Sequence, residues 1–221
     1  MSENPIRNTI DRLMGRIKPA SQEEIEAYEK KLQDLKARRL KEFAVDMLNR
    51  SGIPKRHFEF APSRAGEWGE RLTVLEAKLG TGMFVALIGV RGNGKTQMAC
   101  ELMKVHADNG KTVKFTTATQ FFMEIKATWK KDAVDTEKDV VALHIKPSLL
   151  VIDEIGRRGE SDWENNLLFE LLNRRYNDKK DTIIIGNLSP QELQSNIGES
   201  LVSRFNETGG AIQCTWASFR K

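Results

Sequence analysis

The chain has 221 residues, long enough for one sizeable core plus an appendage. Its 35 Lys and Arg against 31 Asp and Glu leave a net charge of +4, which permits nucleic acid as a partner without requiring it. Cys100 and Cys214 have no C-x-x-C or histidine companion, so packing thiols are expected rather than a structural zinc. No apolar run approaches the ~20 residues of a membrane span, and the first residues lack a secretory apolar region, so the expectation is a cytoplasmic protein with no membrane partner.

Residues 1–20 are polar, broken by Pro5 and Pro19, and read as a weakly helical or irregular lead-in. Ser21 with Glu24 has the pattern of a capping box, and Ile25, Tyr28, Leu32 and Leu35 then recur at heptad spacing. The stripe shifts to Leu40, Phe43, Met47 and Leu48, which predicts a helix of roughly 28 residues ending before Gly52 and Pro54. Such a helix either packs on its own body or forms an arm whose Ile25, Tyr28, Leu32 and Leu35 dock a partner; two heptads do not decide between them. The basic run over 36–41 reads as a solvated face. Residues 51–70 are punctuated by Pro and Gly and read as a linker pinned by Phe58, Phe60 and Trp68. The expected division is therefore a helical partner-binding region over 1–50, a linker over 51–70 and a nucleotide-binding domain over 71–221.

Arg71 to Leu79 has the pattern of a short amphipathic helix, and Met83 to Ile88 that of a buried strand. Gly89, four further residues and Gly94-Lys95-Thr96 complete the phosphate-loop pattern G-x-x-x-x-G-K-[ST]. Glycines there let successive backbone N–H groups turn toward phosphate oxygens. A lysine then supplies a point charge, a threonine hydroxyl a Mg²⁺ ligand, and the following helix its positive end. The candidate nucleotide-binding set is Gly89, Arg91, Gly92, Asn93, Gly94, Lys95, Thr96 and Gln97, with ATP and Mg²⁺ as the implied ligands.

After a helix stop at Asn109-Gly110, Thr112 to Thr117 reads as a second strand. Alternating strands and helices of this length predict an α/β fold with a parallel sheet and nucleotide at the strands' carboxyl ends. Residues 118–145 hold two helical stretches. The first, running to Lys131, gathers Lys126, Trp129 and Lys130, the composition used for single-stranded nucleic acid; an amphipathic helix with a partly buried Trp is the other reading. Leu149 to Asp153 is an apolar strand closing on Asp153-Glu154, where Asp153 would hold Mg²⁺ and Glu154 would polarise water. A helix from Asp162 to Tyr176 and a buried strand from Thr182 to Ile185 follow, with Asn187 at the strand tip placed to orient water. Ser189-Pro190 opens the next helix. Gly198 to Phe205 forms another, carrying Ser203-Arg204-Phe205, and a last strand, Ala211 to Thr215, precedes Trp216, Phe219 and Arg220.

The phosphate loop, Asp153-Glu154, Asn187 and Arg204 in that order resemble the AAA+ ATPases. LLVIDEIG, RSGIPKRHFEF, GNLSP, IGESLVSRF and the closing W-x-x-F-R are similar, over about residues 49–221, to the DnaC-type replicative helicase loaders and to the related ATPase helpers of insertion-sequence transposition. The resemblance implies an AAA+ domain lacking the helical lid, Asn187 as a sensor and Arg204 as an arginine finger acting on a neighbouring subunit. It also implies self-association on ATP, weak hydrolysis stimulated by DNA or partner, a single-stranded DNA path along the helix after residue 118, and a hexameric replicative helicase as partner. A reduced, phage-encoded loader would fit the size. The transposition helper, on double-stranded DNA, and a nucleotide-binding adaptor without significant hydrolysis remain the alternatives. Gly198-Glu199-Ser200 stands where loaders commonly carry Gly-Glu-Arg, so a second interface arginine is missing.

Overall fold

The computed structural model describes residues 21–60, 62–157, 159 and 161–218. The predicted lead-in over 1–20, and the Phe219 and Arg220 of the closing motif, lie outside the described residues. The chain divides into two compact units, Met1–Leu40 and Lys41–Lys221.

Helix α1 (Gln22–Arg50) runs for 29 residues. Its capping box forms as expected: Glu24 N–H donates to Ser21 Oγ at 3.2 Å, and Ser21 N–H to Glu24 Oε2 at 2.8 Å. Ile25, Tyr28, Leu32 and Leu35 are exposed, at 38–68%. Within the second unit, Ala44 is buried, and Met47 and Leu48 pack against the core. The unit boundary thus falls inside the helix, ahead of the expected boundary at residue 50. The expected linker is also not uniform coil. It contains α2 (Lys55–Phe58), and α3 (Gly66–Glu76) begins inside it. The helix predicted from Arg71 therefore starts earlier, because Trp68, Leu72 and Leu75 form one buried stripe.

The remaining elements are β1 (Phe84–Ile88), α4 (Lys95–Asp108), β2 (Val113–Thr117), α5 (Ala118–Ala127), α6 (Glu137–Ile145) and β3 (Leu149–Asp153). They continue with α7 (Asp162–Asn177), β4 (Asp181–Gly186), α8 (Pro190–Ile197), α9 (Glu199–Thr208) and β5 (Gly210–Gln213). The five strands form one sheet in the order β2-β3-β4-β1-β5, every pair parallel. Both faces are buried, which is why the strands read as apolar runs. Along β1, Phe84, Ala86 and Ile88 enter one core with α5 to α9, while Val85 and Leu87 enter the other with α1, α3 and α4. The same alternation separates Leu150 and Ile152 from Leu149 and Val151 on β3. Parallel pairing brings the carboxyl ends of β1, β3 and β4 to one edge of the sheet, and the site lies there.

Three elements end before their predicted last residue: α3 at Glu76 rather than Leu79, β5 at Gln213 rather than Thr215, and α5. Helix α5 stops at Ala127, not at Lys131, because the Thr128 hydroxyl donates to the Ile125 carbonyl at 2.8 Å and closes the last turn. Trp129 and Lys130 therefore lie beyond the helix.

Candidate nucleotide site

The loop after β1 takes its course from its glycines. Gly92 and Gly94 have φ of +91° and +77°, conformations that glycine adopts without a Cβ penalty. Gly94 is the N-cap of α4 and offers no side chain to the first-turn N–H groups. These groups point outward as an anion-binding helix end. At Gly89 a Cβ would stand 2.9 Å from the Cys214 carbonyl oxygen, so the loop's start lies hard against the segment after β5. Cys214 N–H donates to Ile88 O at 2.8 Å. The Asn93 amide donates to Cys214 O and the Trp216 indole to Asn93 O, while Ser218 Oγ donates to Gly92 O at 3.3 Å. Trp68 braces the other side, its indole donating to Gly94 O at 3.3 Å.

Lys95 is buried, and its ammonium donates to Gly89 O, Val90 O and Asn93 Oδ1 at 2.9, 2.6 and 3.0 Å. The next residue, Thr96, donates its hydroxyl to Asp153 Oδ2 at 2.8 Å, joining the start of α4 to the end of β3. Asp153 also accepts the Glu154 N–H at 2.7 Å. Burial pushes the Asp153 carboxyl above the usual carboxylate range, opposed by these two hydrogen bonds. Glu154 takes a left-handed φ of +55°, and its Oε1 accepts from Arg157 Nη1 at 3.3 Å. Asn187, just past β4, is exposed.

Arg91, Gly92, Asn93, Gly94, Lys95, Thr96, Gln97, Asp153, Glu154 and Asn187 all line one cleft of ≈ 610 Å³, within the range of small-ligand pockets. The cleft's donor set suits a triphosphate with its cation: outward helix-end N–H groups and an ammonium for anionic oxygens, and a hydroxyl beside a half-buried carboxylate for a hard cation. Gln97, besides lining the cleft, makes side-chain contacts to the linker. Its Nε2 donates to His57 O, Phe60 O and Glu101 Oε1 at 3.3, 3.4 and 2.8 Å, which turns Oε1 to His57 Nδ1 at 2.8 Å. The amide thus fastens the linker to α4.

That fastening explains what sequence reasoning missed. Arg56, His57 and Arg157 also line the cleft, beside Phe60, Pro62 and Trp68. The segment RSGIPKRHFEF carried the resemblance, yet nothing in its pattern aims those side chains at nucleotide.

Other predicted residues lie elsewhere. Arg204 is on α9, outside the cleft, with its guanidinium 5.5 Å and 5.3 Å from the ring centroids of Phe169 and Tyr176 on α7. Its Nη1 is buried with no hydrogen-bond partner among the described residues. Lys126 pairs with Glu164 at 3.0 Å. Trp129 packs edge-on to Trp163 with centroids 5.0 Å apart, and its indole donates to Glu137. Trp129 and Lys130 are exposed nonetheless. Cys100 and Cys214 are buried, and burial pushes both thiols up to about 12. Among the described residues no helix is long and apolar enough to cross a membrane.

Residues 68–204, more than half of the chain, match the family described as IstB-like ATP binding protein. The chain belongs to that family. This IstB-like chain is 30% identical over 135 residues to the replicative helicase loader DnaC of Buchnera aphidicola, covering 60% of this chain and 54% of the relative. It therefore spans about half the length of that loader. Among solved structures, the DnaC helicase loader superposes with a TM-score of 0.61 at 22% identity, over 72% of this chain and 99% of that one. AMPPCP-bound DnaA from Aquifex aeolicus does so with a TM-score of 0.59 at 22% identity, over 73% and 51%. At these identities the likeness is one of fold, the AAA+ fold of the IstB and DnaC proteins.

Proposed function

We propose that this chain is an ATP-dependent loader of a hexameric replicative DNA helicase onto single-stranded DNA. The observation that carries the reading is the convergence of Lys95, Thr96, Asp153, Glu154 and Asn187 on one cleft from which Arg204 is absent. The chain thus holds one part of an ATPase site and carries the complementary charge elsewhere on its surface.

In this reading the outward N–H groups of α4 and the Lys95 ammonium bind the triphosphate. Thr96 and Asp153 are the residues that would hold Mg²⁺, which supplies neutralisation of phosphate charge. Glu154 accepts a proton from the attacking water, and Asn187 orients that water. Arg204 completes the site of the adjacent copy, so self-association follows ATP binding. Arg204 lies outside its own cleft and is partly exposed, which supports a role toward a neighbouring copy. Arg204→Ala is expected to leave ATP affinity of the isolated subunit near normal while hydrolysis falls about 10³-fold. A collapse of affinity in single-subunit titrations would instead make Arg204 a residue of its own site.

The exposed stripe Ile25, Tyr28, Leu32 and Leu35 grips the helicase, and the surface at the end of α5, with Lys126, Trp129 and Lys130, meets single-stranded DNA. Hydrolysis is weak and serves release, since differing affinity in the ATP and ADP states is enough to exchange partners. Capture of the hexameric helicase by the full chain and by a variant lacking residues 1–40 tests the assignment. Nucleotide-dependent capture lost on deletion supports both loader and arm. Capture that survives deletion removes the arm. If the helicase is never captured, the reading passes to the transposition helper, which the IstB-like family match also favours and which would bind double-stranded DNA.

A further inference from the structure

The phosphate loop is held by a segment far along the chain. Cys214, the residue after β5, uses both of its backbone groups on the loop: its N–H donates to Ile88 O at 2.8 Å, and its carbonyl accepts from the Asn93 amide. The Trp216 indole donates to the Asn93 carbonyl. Asn93 itself is fully buried, and its Oδ1 accepts from the Lys95 ammonium at 3.0 Å. One line of hydrogen bonds therefore runs from the segment after β5, through the backbone and the amide of Asn93, to the ammonium in the cleft. There is little slack in it, since the Cys214 carbonyl lies so close to Gly89 that a Cβ there would stand 2.9 Å away. The Trp216 ring packs against the core, which fixes the direction of its N–H.

The acceptors of the Lys95 ammonium are unequal. An ammonium has three N–H donors, and Gly89 O, Val90 O and Asn93 Oδ1 accept from this one, so a phosphate oxygen that engages it displaces at least one of them. Val90 is 72% exposed and Gly89 is half-buried, so water can take the ammonium's place at their carbonyls. Asn93 is 0% exposed, and its Oδ1 without a donor would bear the full cost of desolvation. Lys95 therefore surrenders a loop carbonyl to the incoming phosphate and keeps Asn93.

We propose that Asn93 and Trp216 are positioning residues for the Lys95 ammonium, so that triphosphate affinity depends on a hydrogen bond made 123 positions further along the chain. The inference rests on the reading of Lys95 as a residue that binds the triphosphate. Asn93 orients the ammonium, and the Cys214 carbonyl and Trp216 indole orient Asn93.

The test measures the affinity of the full chain for ATP and for inorganic tripolyphosphate, by competition with a fluorescent ATP analogue, alongside thermal melting. The variants are Trp216→Phe, Asn93→Ala, the two combined, and Lys95→Ala. Trp216→Phe keeps an aromatic ring and removes the N–H donor; it should weaken ATP and tripolyphosphate by the same factor, about ten-fold, the worth of one hydrogen bond. The combined variant should bind no more weakly than Asn93→Ala alone, because both changes act through one contact, whereas two independent structural defects would add. If Asn93→Ala melts far below the wild type, Trp216→Phe carries the test through the comparison of ATP with tripolyphosphate. Wild-type affinities in Trp216→Phe would overturn the proposal. So would a loss confined to ATP, which would place the effect at the nucleoside, or additive losses in the combined variant; all three leave Lys95 in its role. Undiminished affinity in Lys95→Ala would remove the underlying reading itself, and this inference with it.

Discussion

Residues that were legible in the sequence are those whose chemistry follows from chain neighbours. Lys95 and Thr96 follow a glycine turn at the mouth of a helix, and Asp153 ends an apolar strand, so their meeting across 2.8 Å is nearly implied by a parallel sheet. His57 was not legible, because it is placed at the cleft by tertiary hydrogen bonds with the Gln97 amide, and Arg157 was not, because it is turned back onto Glu154 by a left-handed residue that no pattern marks. Asp153 also shows function held against stability. Its carboxylate is half-buried, with one hydroxyl and one N–H as its hydrogen-bond donors. Asp153→Asn should therefore raise the melting temperature of the nucleotide-free protein, by about 1 kcal/mol of added stability, while abolishing hydrolysis. A lowered melting temperature would mean that the hydrogen bonds outweigh the desolvation. Arg175 is the opposite case, a fully buried guanidinium with no catalytic task. It donates to the carbonyls of His144, Ile145, Pro147 and Asp181 and to the Thr182 hydroxyl, joining α6 and α7 to β4. Arg175→Met strands those acceptors and should cost about 3 kcal/mol, read as a lower urea midpoint at unchanged slope.

Among the elements, the strands and the capped helices were the most readable, since two-faced burial and side-chain caps leave strong local marks. Thr117, Ser161 and Ser189 each cap the helix that follows, accepting from Gln120, Glu164 and Glu192 N–H. The long helix α1 was readable in extent but not in division, because its apolar stripe continues past the residue where packing begins. The buried Ala44 is the discriminating position, and no periodicity separates it from its exposed neighbours. A chain beginning at Lys41 should melt within a degree or two of the full chain, whereas one beginning at Ser51 should lose several degrees as the core loses Ala44, Met47 and Leu48. Equal melting of both truncated chains would show that the second half of α1 adds nothing to the core. Helix α6 carries one part of the pH response. His144 is buried and donates from Nδ1 to Val140 O at 2.9 Å, with Glu124 3.6 Å from Nε2 and the Phe121 ring against its face. Burial pushes its pKa down to about 4, with Lys114 and Arg175 acting the same way against the Val140 hydrogen bond. Above the unfolded value of about 6.5 neither state binds the proton and stability is unaffected. Between there and about pH 4 only the unfolded chain binds it, so stability falls as pH falls, by up to about 3 kcal/mol. Urea midpoints at stepped pH should show this slope in the wild type and a shallower one in His144→Gln.

For the molecule as a whole, the strand order β2-β3-β4-β1-β5 means that β1 is flanked on both sides by strands made long after it. The phosphate loop shares this delay. The residues that grip the Gly92 and Asn93 carbonyls, Ser218 and Trp216, lie 126 and 123 positions further along the chain. While it is still being made, this protein has neither β1 paired nor its nucleotide cradle closed. An emerging chain should therefore be unable to take up nucleotide until nearly all of the Lys41–Lys221 unit has left the ribosome. Until then its bare β1 edges are clients for chaperones, and a ligand that stabilises the finished fold offers no help to the unfinished one.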